Sequence, residues 1–313
     1  MDSKRTKINK TDNKFSFIIA SIDRDKQLQE CIASIEKAYE YKPDIPIEIL
    51  VVIQKAKQKK DILMRYHKIT TFYYIDEVGL SVARNFAIRR STGNYLVFLD
   101  DDAKVNENFI EILSEKVIIY DKINAFCGKL VDQTRNIPFS PLFYNNKVKK
   151  LNRIQYQYFM GSAHVLSKKI IEKIGGYDER FGFGSKHYHG AEETDMFFRL
   201  KIAKEEVIYL PDLIFFHPVI YPSVQYVYNY GYVLGAVLTK NCIYDKAYFF
   251  MYFLVVLEVT MRGLTRLLQK LFFKKIRDKD QIYHYAHRLK GLFGGIKGFI
   301  YDNYLAKKEG KDD

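Results

Sequence analysis

Four short segments of this chain are almost wholly apolar, and polar turns and helical patterns separate them. They are Phe15-Ser-Phe-Ile-Ile-Ala-Ser21, Ile47-Glu-Ile-Leu-Val-Val-Ile53, Thr71-Phe-Tyr-Tyr-Ile75 and Tyr95-Leu-Val-Phe-Leu99. Strands without polar alternation are buried on both faces, the condition of a mainly parallel sheet covered by helices. Leu28, Cys31, Ile32 and Ile35 recur at helical spacing in a helix that ends before Pro43, and 81–90 reads as a second helix with Ser81 as its cap. An α/β fold is therefore expected. In such sheets ligands bind beyond the carboxyl ends of the strands. Asp23 and Arg24, Gln54 and Lys55, and the run Asp100, Asp101, Asp102 all fall there, so three loops are expected to share one site.

From Asn108 onward the pattern is mixed. It predicts a helix through Tyr120, a strand at 125–131, an irregular stretch at 136–146, a strand at 159–166 and a short helix at 168–174. A glycine-rich loop at 175–184 precedes a helix at 191–203 whose first turn holds Glu192, Glu193 and Asp195. Beyond Pro222 the composition shifts. The apolar run 248–257 is too short to span a bilayer and is closed by Glu258. Met261, Leu264, Leu267, Leu268, Leu271 and Phe272 then alternate with Arg262, Arg266, Lys270, Lys274 and Lys275. That is the composition of a basic amphipathic helix lying in a membrane interface; packing on the sheet or in a dimer is the alternative.

The net charge of +13 favours an anionic partner, which nucleotide phosphates, anionic headgroups and nucleic acid all satisfy. Nucleic acid ranks last, because the tail's basic residues flank a long apolar face and no nucleic-acid motif is present. Cys31, Cys127 and Cys242 are odd in number and lack metal-ligand spacing, as expected in a reducing cytosol. Residues 1–14 are polar and basic and are expected to form a disordered tail, neither signal peptide nor anchor.

Three carboxylates at the end of a buried strand repel one another unless a cation intervenes. A hard divalent ion, Mn²⁺ or Mg²⁺, with a diphosphate as co-ligand relieves that cost. A solvated acidic turn or a helix cap is the plainer reading of the same residues. Glu192, Glu193 and Asp195 likewise suit either a general base for a hydroxyl nucleophile or simple complementarity to a helix N-terminus.

The segments Gly79-Leu-Ser-Val-Ala-Arg-Asn85, Thr92-Gly-Asn-Tyr-Leu-Val-Phe-Leu-Asp-Asp-Asp102, Gly175-Gly-Tyr-Asp-Glu-Arg-Phe181 and Ala191-Glu-Glu-Thr-Asp-Met-Phe-Phe-Arg-Leu200, taken in order, resemble the family 2 inverting glycosyltransferases. The resemblance covers about residues 15–220 and implies the GT-A (nucleotide-diphospho-sugar transferase) fold. It further implies a metal-dependent single displacement on a nucleotide-activated sugar, with hexosyl transfer from a UDP-sugar as the first expectation. By position, Asp102 is the implied metal ligand, Asp100 and Asp101 face the donor, and Glu193 is the base, with Glu192 and Asp195 kept as alternatives. Ser21, Asp23 and Arg24 match donor-contacting positions, and Arg84 matches a basic residue near the diphosphate. His217 falls where some relatives place a metal ligand. One departure stands out: where the family usually ends its second strand in aspartates, this chain has Ile53-Gln54, and Gln54 must serve the base through its amide. Gly161 and Ser162 match a segment where the backbone approaches the acceptor. Tyr228-Asn-Tyr-Gly-Tyr-Val-Leu-Gly-Ala236 and Arg288-Leu-Lys-Gly-Leu-Phe-Gly-Gly295 resemble the tails of bacterial relatives that build surface polysaccharide on lipid carriers.

The expected organisation is a catalytic domain at 15–222, with a donor half at 15–107 and an acceptor half at 108–222, followed by membrane-associating amphipathic helices at 223–313. The expected enzyme is peripheral on the cytoplasmic face of the plasma membrane, acting on a lipid-linked or glycan acceptor. A catalytically silent, membrane-associated scaffold that keeps the same fold is the alternative.

Overall fold

The structure is a computed structural model and describes residues 13–55, 69–132, 134–219, 223–273 and 280–308. Lys274 and Lys275 of the anticipated basic face, and all but the last two residues of the anticipated tail, lie outside the described residues.

The first half is built of β1 (Phe15–Ser21), α1 (Asp25–Tyr41), β2 (Ile47–Gln54), β3 (Thr70–Ile75), α2 (Leu80–Arg90) and β4 (Tyr95–Asp100). Strand β1 lies between β2 and β4, parallel to both, and β3 adds in parallel to β2. Every residue of β1 is buried, and β2 is buried apart from Glu48, which explains their unbroken apolar sequence. Helix α1 buries Leu28, Cys31, Ile32, Ile35 and Ala38 as a single stripe. Ser81 does not cap α2. The helix begins at Leu80, and the Ser81 hydroxyl donates instead to the Phe181 carbonyl at 2.6 Å, tying α2 to a distant loop.

The second half continues with β5 (Lys104–Val105), α3 (Phe109–Ile119), β6 (Ala125–Asp132), β7 (Ile137–Pro138), β8 (Lys149–Lys150), β9 (His164–Ser167), α4 (Lys168–Lys173), α5 (Glu192–Ile202) and β10 (Val207–Phe216). Among the described residues the sheet runs β3-β2-β1-β4-β9-β6-β10-β5, with β7 and β8 attached at its side. It is mainly parallel, and antiparallel β9 joins the two halves by pairing with both β4 and β6. The strand expected at 159–166 is shortened to β9, because Arg153–Tyr158 forms a 3-10 helix closed by a capping box at Asn152. Strand β10 has no unbroken apolar run to mark it. Pro211 and Asp212 interrupt its pattern, and its pairing with β6 shifts register between Leu210 and Ile214.

Three long helices follow: α6 (Val224–Tyr244), α7 (Ala247–Phe273) and α8 (Asp280–Lys308). Helices α6 and α8 cross with their backbones in contact. A Cβ added at Gly231 or Gly235 would run into the carbonyl oxygens of Arg288 or Leu292, and one at Gly291 or Gly295 into those of Tyr228 or Tyr232. Each helix thus presents glycines four residues apart, the small-residue spacing that lets helices approach closely. Glu258 does not close the apolar run. Helix α7 continues through it, and Glu258 pairs with Arg262 one turn on at 2.8 Å. The stretch Ala247–Thr265 is long and apolar enough to cross a membrane, with mean hydropathy 1.5, yet only 22% of it is buried. Phe249, Phe250, Phe253, Leu257, Met261 and Leu264 are exposed along it.

Replacing Gly235 or Gly291 with Leu should separate α6 from α8 and destabilise the protein by about 1–3 kcal/mol or more, the usual cost of overpacking. Chemical denaturation followed by circular dichroism measures it, with Ala at Gly294, where a Cβ would meet only the edges of Tyr228 and Tyr232, as the mild comparison.

Candidate active site

Strand β4 delivers its three aspartates to the carboxyl edge of the sheet, where each finds a different environment. Asp101 is 5% exposed; it accepts from the Ser21 hydroxyl at 2.7 Å and from Arg24 at 3.1 Å. Burial raises its pKa against the help of those two donors. Asp101, a donor-facing position by the motif, here holds Ser21 and Arg24 with its two oxygens. Arg24 also reaches Asp102 at 2.9 Å. Asp23 is exposed in the turn after β1, in left-handed conformation with φ 56°.

Asp100 and Asp102 face His217, which follows β10. The His217 Nε2 lies 3.2 Å from Asp102 and 3.7 Å from Asp100, while Nδ1 donates to the Pro218 carbonyl at 2.8 Å. The backbone bond fixes the ring so that Nε2 points at the carboxylates. Burial works against the imidazolium, but the hydrogen bonds to both aspartates outweigh it and raise its pKa to about 10. Asp100 is held low: burial opposes its charge, and the His217 hydrogen bond and the Arg84 charge prevail. One ligand atom from each of Asp100, Asp102 and His217 lies within 4.8 Å of the others, and Oδ1 of Asp102 is buried facing His217 Nε2. Two carboxylates and an imidazole oriented toward both of them fit a divalent cation.

Arg84 is not free for a diphosphate. Its side chain is wholly buried, and it donates to Glu192 at 3.0 Å, to Asp100 at 3.0 Å and to the Gly161 carbonyl at 2.8 Å. Burial disfavours its charge, and the facing Tyr177, Asp100 and Glu192 more than offset that effect. Glu192 is buried against it, which makes Glu192 a partner of Arg84 rather than a free base. Asp195 is 0% exposed and held by Lys240 at 2.7 Å, Arg199 at 2.8 Å and Asn241 at 3.2 Å, so it cannot reach a substrate. Glu193 is half-buried, and its only near hydrogen bond among the described residues is from Thr194 at 3.1 Å. Burial, and then the charge of Glu192, push its pKa up to about 8. Gln54 is 5% exposed, and its carbonyl oxygen accepts the Gly79 N–H at 2.7 Å, which leaves only its amide nitrogen for a base edge.

Glu193 opens into a cavity of about 220 Å³. Tyr156, Phe159 and Met160 form one wall, and Tyr226, Asn229 and Tyr230 of α6 form the other. His189 lines the same cavity, whereas His187 does not. The helix carrying Glu193 starts from Ala191 in left-handed conformation, φ 61°, a backbone state that a non-glycine residue adopts only when its surroundings impose it.

The family model of Glycosyl transferase family 2 matches residues 16–175, a little over half of the chain and the stretch that supplies the aspartates, Ser21, Arg24, Gln54 and Arg84. The chain belongs to glycosyl transferase family 2. An uncharacterized protein of Haemophilus influenzae is 27% identical over 183 residues, covering 52% of this chain and 92% of that protein. Glycosyltransferase GlyA of Streptococcus pneumoniae is 30% identical over 116 residues, 35% of this chain and 16% of GlyA. Among solved structures, TarS of S. aureus superposes with TM-score 0.55 at 14% identity, over 74% of this chain and 39% of TarS. The mannosyltransferase PcManGT from Pyrobaculum calidifontis, solved with GDP-Man and Mn²⁺, superposes with TM-score 0.58 at 14% identity, over 93% of this chain and 88% of PcManGT. The structural likenesses establish a GT-A type fold, and the family match makes this family 2 member a glycosyltransferase.

Sequence reasoning missed Lys240, Asn229 and Tyr230. Lys240 sits in an apolar helical pattern, and only its burial at 4% between Asp195 and Asp178, each at 2.7 Å, reveals its role.

Because the pKa of Glu193 is raised on folding, the unfolded chain binds fewer protons at this residue between its ordinary range and about pH 8. Its contribution to stability is therefore present at low pH and lost as pH rises through that window. Glu193→Gln should lose less melting temperature than the parent between pH 5 and 8.5. Differential scanning calorimetry across that range checks it, and equal slopes would show that Glu193 titrates normally.

Proposed function

We propose that this glycosyltransferase moves a hexosyl unit from a nucleotide-diphosphate sugar to an acceptor hydroxyl by a single inverting displacement, with Glu193 as base. The observation that carries this reading is the path Glu192, Arg84, Asp100. One buried guanidinium ties the acidic turn of α5 to the carboxylates of β4, so that base and donor edge stand in fixed relation. Glu193 sits beside that tie with a pKa near neutrality, suited to taking a proton from a hydroxyl. Proton removal lets the oxygen form the new bond at the anomeric carbon as the bond to the diphosphate oxygen breaks.

Asp100, Asp102 and His217 would hold Mn²⁺ or Mg²⁺, with the proton on His217 giving way to the metal. When bound, the ion neutralises charge on the departing diphosphate. Mn²⁺ in the PcManGT structure supports a divalent ion here, and its GDP-Man supports a nucleotide-sugar donor. A UDP-sugar is the donor proposed first, with GDP-mannose as the comparison. Asp23 and Arg24, in the loop after β1, are the proposed donor contacts, with Ser21 and Asp101 supporting Arg24.

The proposed acceptor is a lipid-linked glycan of cell-surface polysaccharide synthesis, reached by an enzyme peripheral on the cytoplasmic face of the plasma membrane. Phe249, Phe250 and Phe253, exposed together on α7, support it, since clustered apolar side chains on a surface mark an interaction site. On this reading the catalytic domain ends near residue 222, and the helices beyond it serve both the membrane and the acceptor cavity.

Asp102→Ala and Glu193→Gln should each reduce transfer by at least about a hundredfold, the scale of lost acid–base or metal function. Only Asp102→Ala should also weaken Mn²⁺-dependent nucleotide binding, measured by calorimetry against UDP and GDP. Equal loss of nucleotide binding in both variants would remove Glu193 from the role of base, and no turnover with any nucleotide sugar would favour a silent scaffold. Independently, the full chain should co-sediment with anionic liposomes, and Phe249→Ser/Phe253→Ser should reduce the bound fraction several-fold. A chain indifferent to liposomes would overturn the membrane assignment.

A further inference from the structure

Two neighbouring cavities lie on either side of one pair of residues near Glu193. The one at the base and a neighbour of about 300 Å³ share Tyr156 and Gln157. The neighbour is walled on its far side by Met251, Leu254, Val255 and Glu258 of α7. Tyr156 and Gln157 thus form a wall common to the cavity against the apolar helix and the cavity at the proposed base.

A cation without an ion-pair partner among the described residues stands close to that wall, behind Tyr230 and outside both cavity linings. Arg288 of α8 has both Nε and Nη2 buried without a hydrogen-bond partner, and among the described residues no carboxylate lies within ion-pair distance of it. Its guanidinium carbon is 5.1 Å from the ring centroid of Tyr230, which lines the Glu193 cavity. The hydroxyl of Tyr156 is also buried without a partner at ordinary hydrogen-bond geometry. Glu258, the acid on α7 that lines the neighbouring cavity, is engaged by Arg262 at 2.8 Å. The other deeply placed arginines differ: Arg84 and Arg199 each hold a carboxylate at 3.0 Å and 2.8 Å. A guanidinium is always charged, and burying its nitrogens unpaired is costly. Nor can Arg288 simply withdraw, because its backbone is pressed against Gly231 at the α6–α8 crossing.

We propose that Arg288, with the Tyr156 hydroxyl, receives an oxyanion of the acceptor, a phosphoryl or carboxylate group, while the acceptor's apolar portion lies along α7 and its reactive hydroxyl reaches the Glu193 cavity. The assignment rests on the transfer function proposed above. It adds the acceptor's chemical class: an anionic amphiphile, recognised by a planar donor fork that matches an oxyanion. Tyr230 separates Arg288 from the sugar-side cavity and so divides the anionic part of the acceptor from its reacting end.

Calorimetric titration of the full chain with single-chain amphiphiles below their micellar concentrations tests this without turnover. Dodecyl phosphate, dodecanoate and dodecyl maltoside share a tail and differ in head group. The parent protein should bind at least one of the two anions about tenfold or more tighter than the maltoside, as expected for hydrogen bonds to a charged group, and whichever anion is preferred identifies the oxyanion. Arg288→Gln should bring that anion to the level of the maltoside while leaving maltoside binding and Mn²⁺-dependent nucleotide binding unchanged. Arg262→Gln, which removes a cation already paired with Glu258, should keep the preference. If Arg288→Gln does not fold, Tyr156→Phe takes its place and should lower anion affinity alone. No preference in the parent, or a preference that survives Arg288→Gln, overturns the proposal. Preference without turnover on any nucleotide sugar would instead tell against the transfer function and leave the anion site standing.

Discussion

The arrangement of this site depends on one buried guanidinium. Asp100 ends a strand of the first half and Glu192 opens a helix of the second, and both carry negative charge into a region poor in water. Left to themselves they would drive the halves apart. Arg84 offers a nitrogen to each and a further bond to the Gly161 carbonyl, and it lies between the rings of Phe98 and Tyr177, 5.8 and 5.4 Å from their centroids. A cation so enclosed needs both carboxylates to stay charged, and each carboxylate needs the cation. The sheet supplies the scaffold, but this triad sets the distance between the two edges of the cleft.

Three neighbouring aspartates then acquire three characters from what faces them. Asp101 turns inward to Ser21 and is raised by burial, Asp100 is held low between His217 and Arg84, and Asp102 stands between Arg24 and His217, 2.9 and 3.2 Å away. The two glutamates of α5 divide in the same way. Glu192 commits its charge to Arg84, and Glu193, one residue on, has no cation within hydrogen-bond distance among the described residues, so its pKa rises. Below them His164, sandwiched against Phe98 and bonded to Met160 and Tyr177, stays neutral, with burial lowering its pKa to about 3. A neutral ring there adds no second cation to compete with Arg84.

Much of the fold was legible because burial on both faces leaves a direct mark on sequence: β1, β2, β3 and β4 begin and end within a residue of where the apolar runs place them. The location of the candidate site was read the same way, since ligands of such sheets bind where the strands end. What the sequence did not disclose is pairing. Asp195, Glu192 and Glu193 look alike in a helix's first turn, and only tertiary contact separates an ion-pair anchor from a solvated acid. Arg84 is an ordinary arginine in α2 until Asp100 and Glu192 are both brought to it. The glycines at 231, 235, 291 and 295 carry a signal of a different kind, because the same four-residue spacing recurs in two helical segments and by itself marks faces able to cross closely.

That crossing changes what the C-terminal segment is for. Had α6 been a membrane tether alone, its inner face would need only apolar residues. It instead sends Lys240 into the space between Asp178 and Asp195, with Asn241 beside it. Asp178 begins the loop that leads to Ala191, and Asp195 lies in the first turn of α5, so one lysine grips both ends of the segment that presents Glu193. The same helix contributes Tyr226, Asn229 and Tyr230 to the cavity wall, and α8 is pressed to it through backbone contacts. The exposed phenylalanines of α7 therefore belong to a unit that also shapes the cavity at Glu193, and whatever covers them is joined to that residue through the helices that wall it. Removing the helices would leave Asp195 and Asp178 without Lys240, so the acidic turn of α5 depends on the helical segment for its ion pairs.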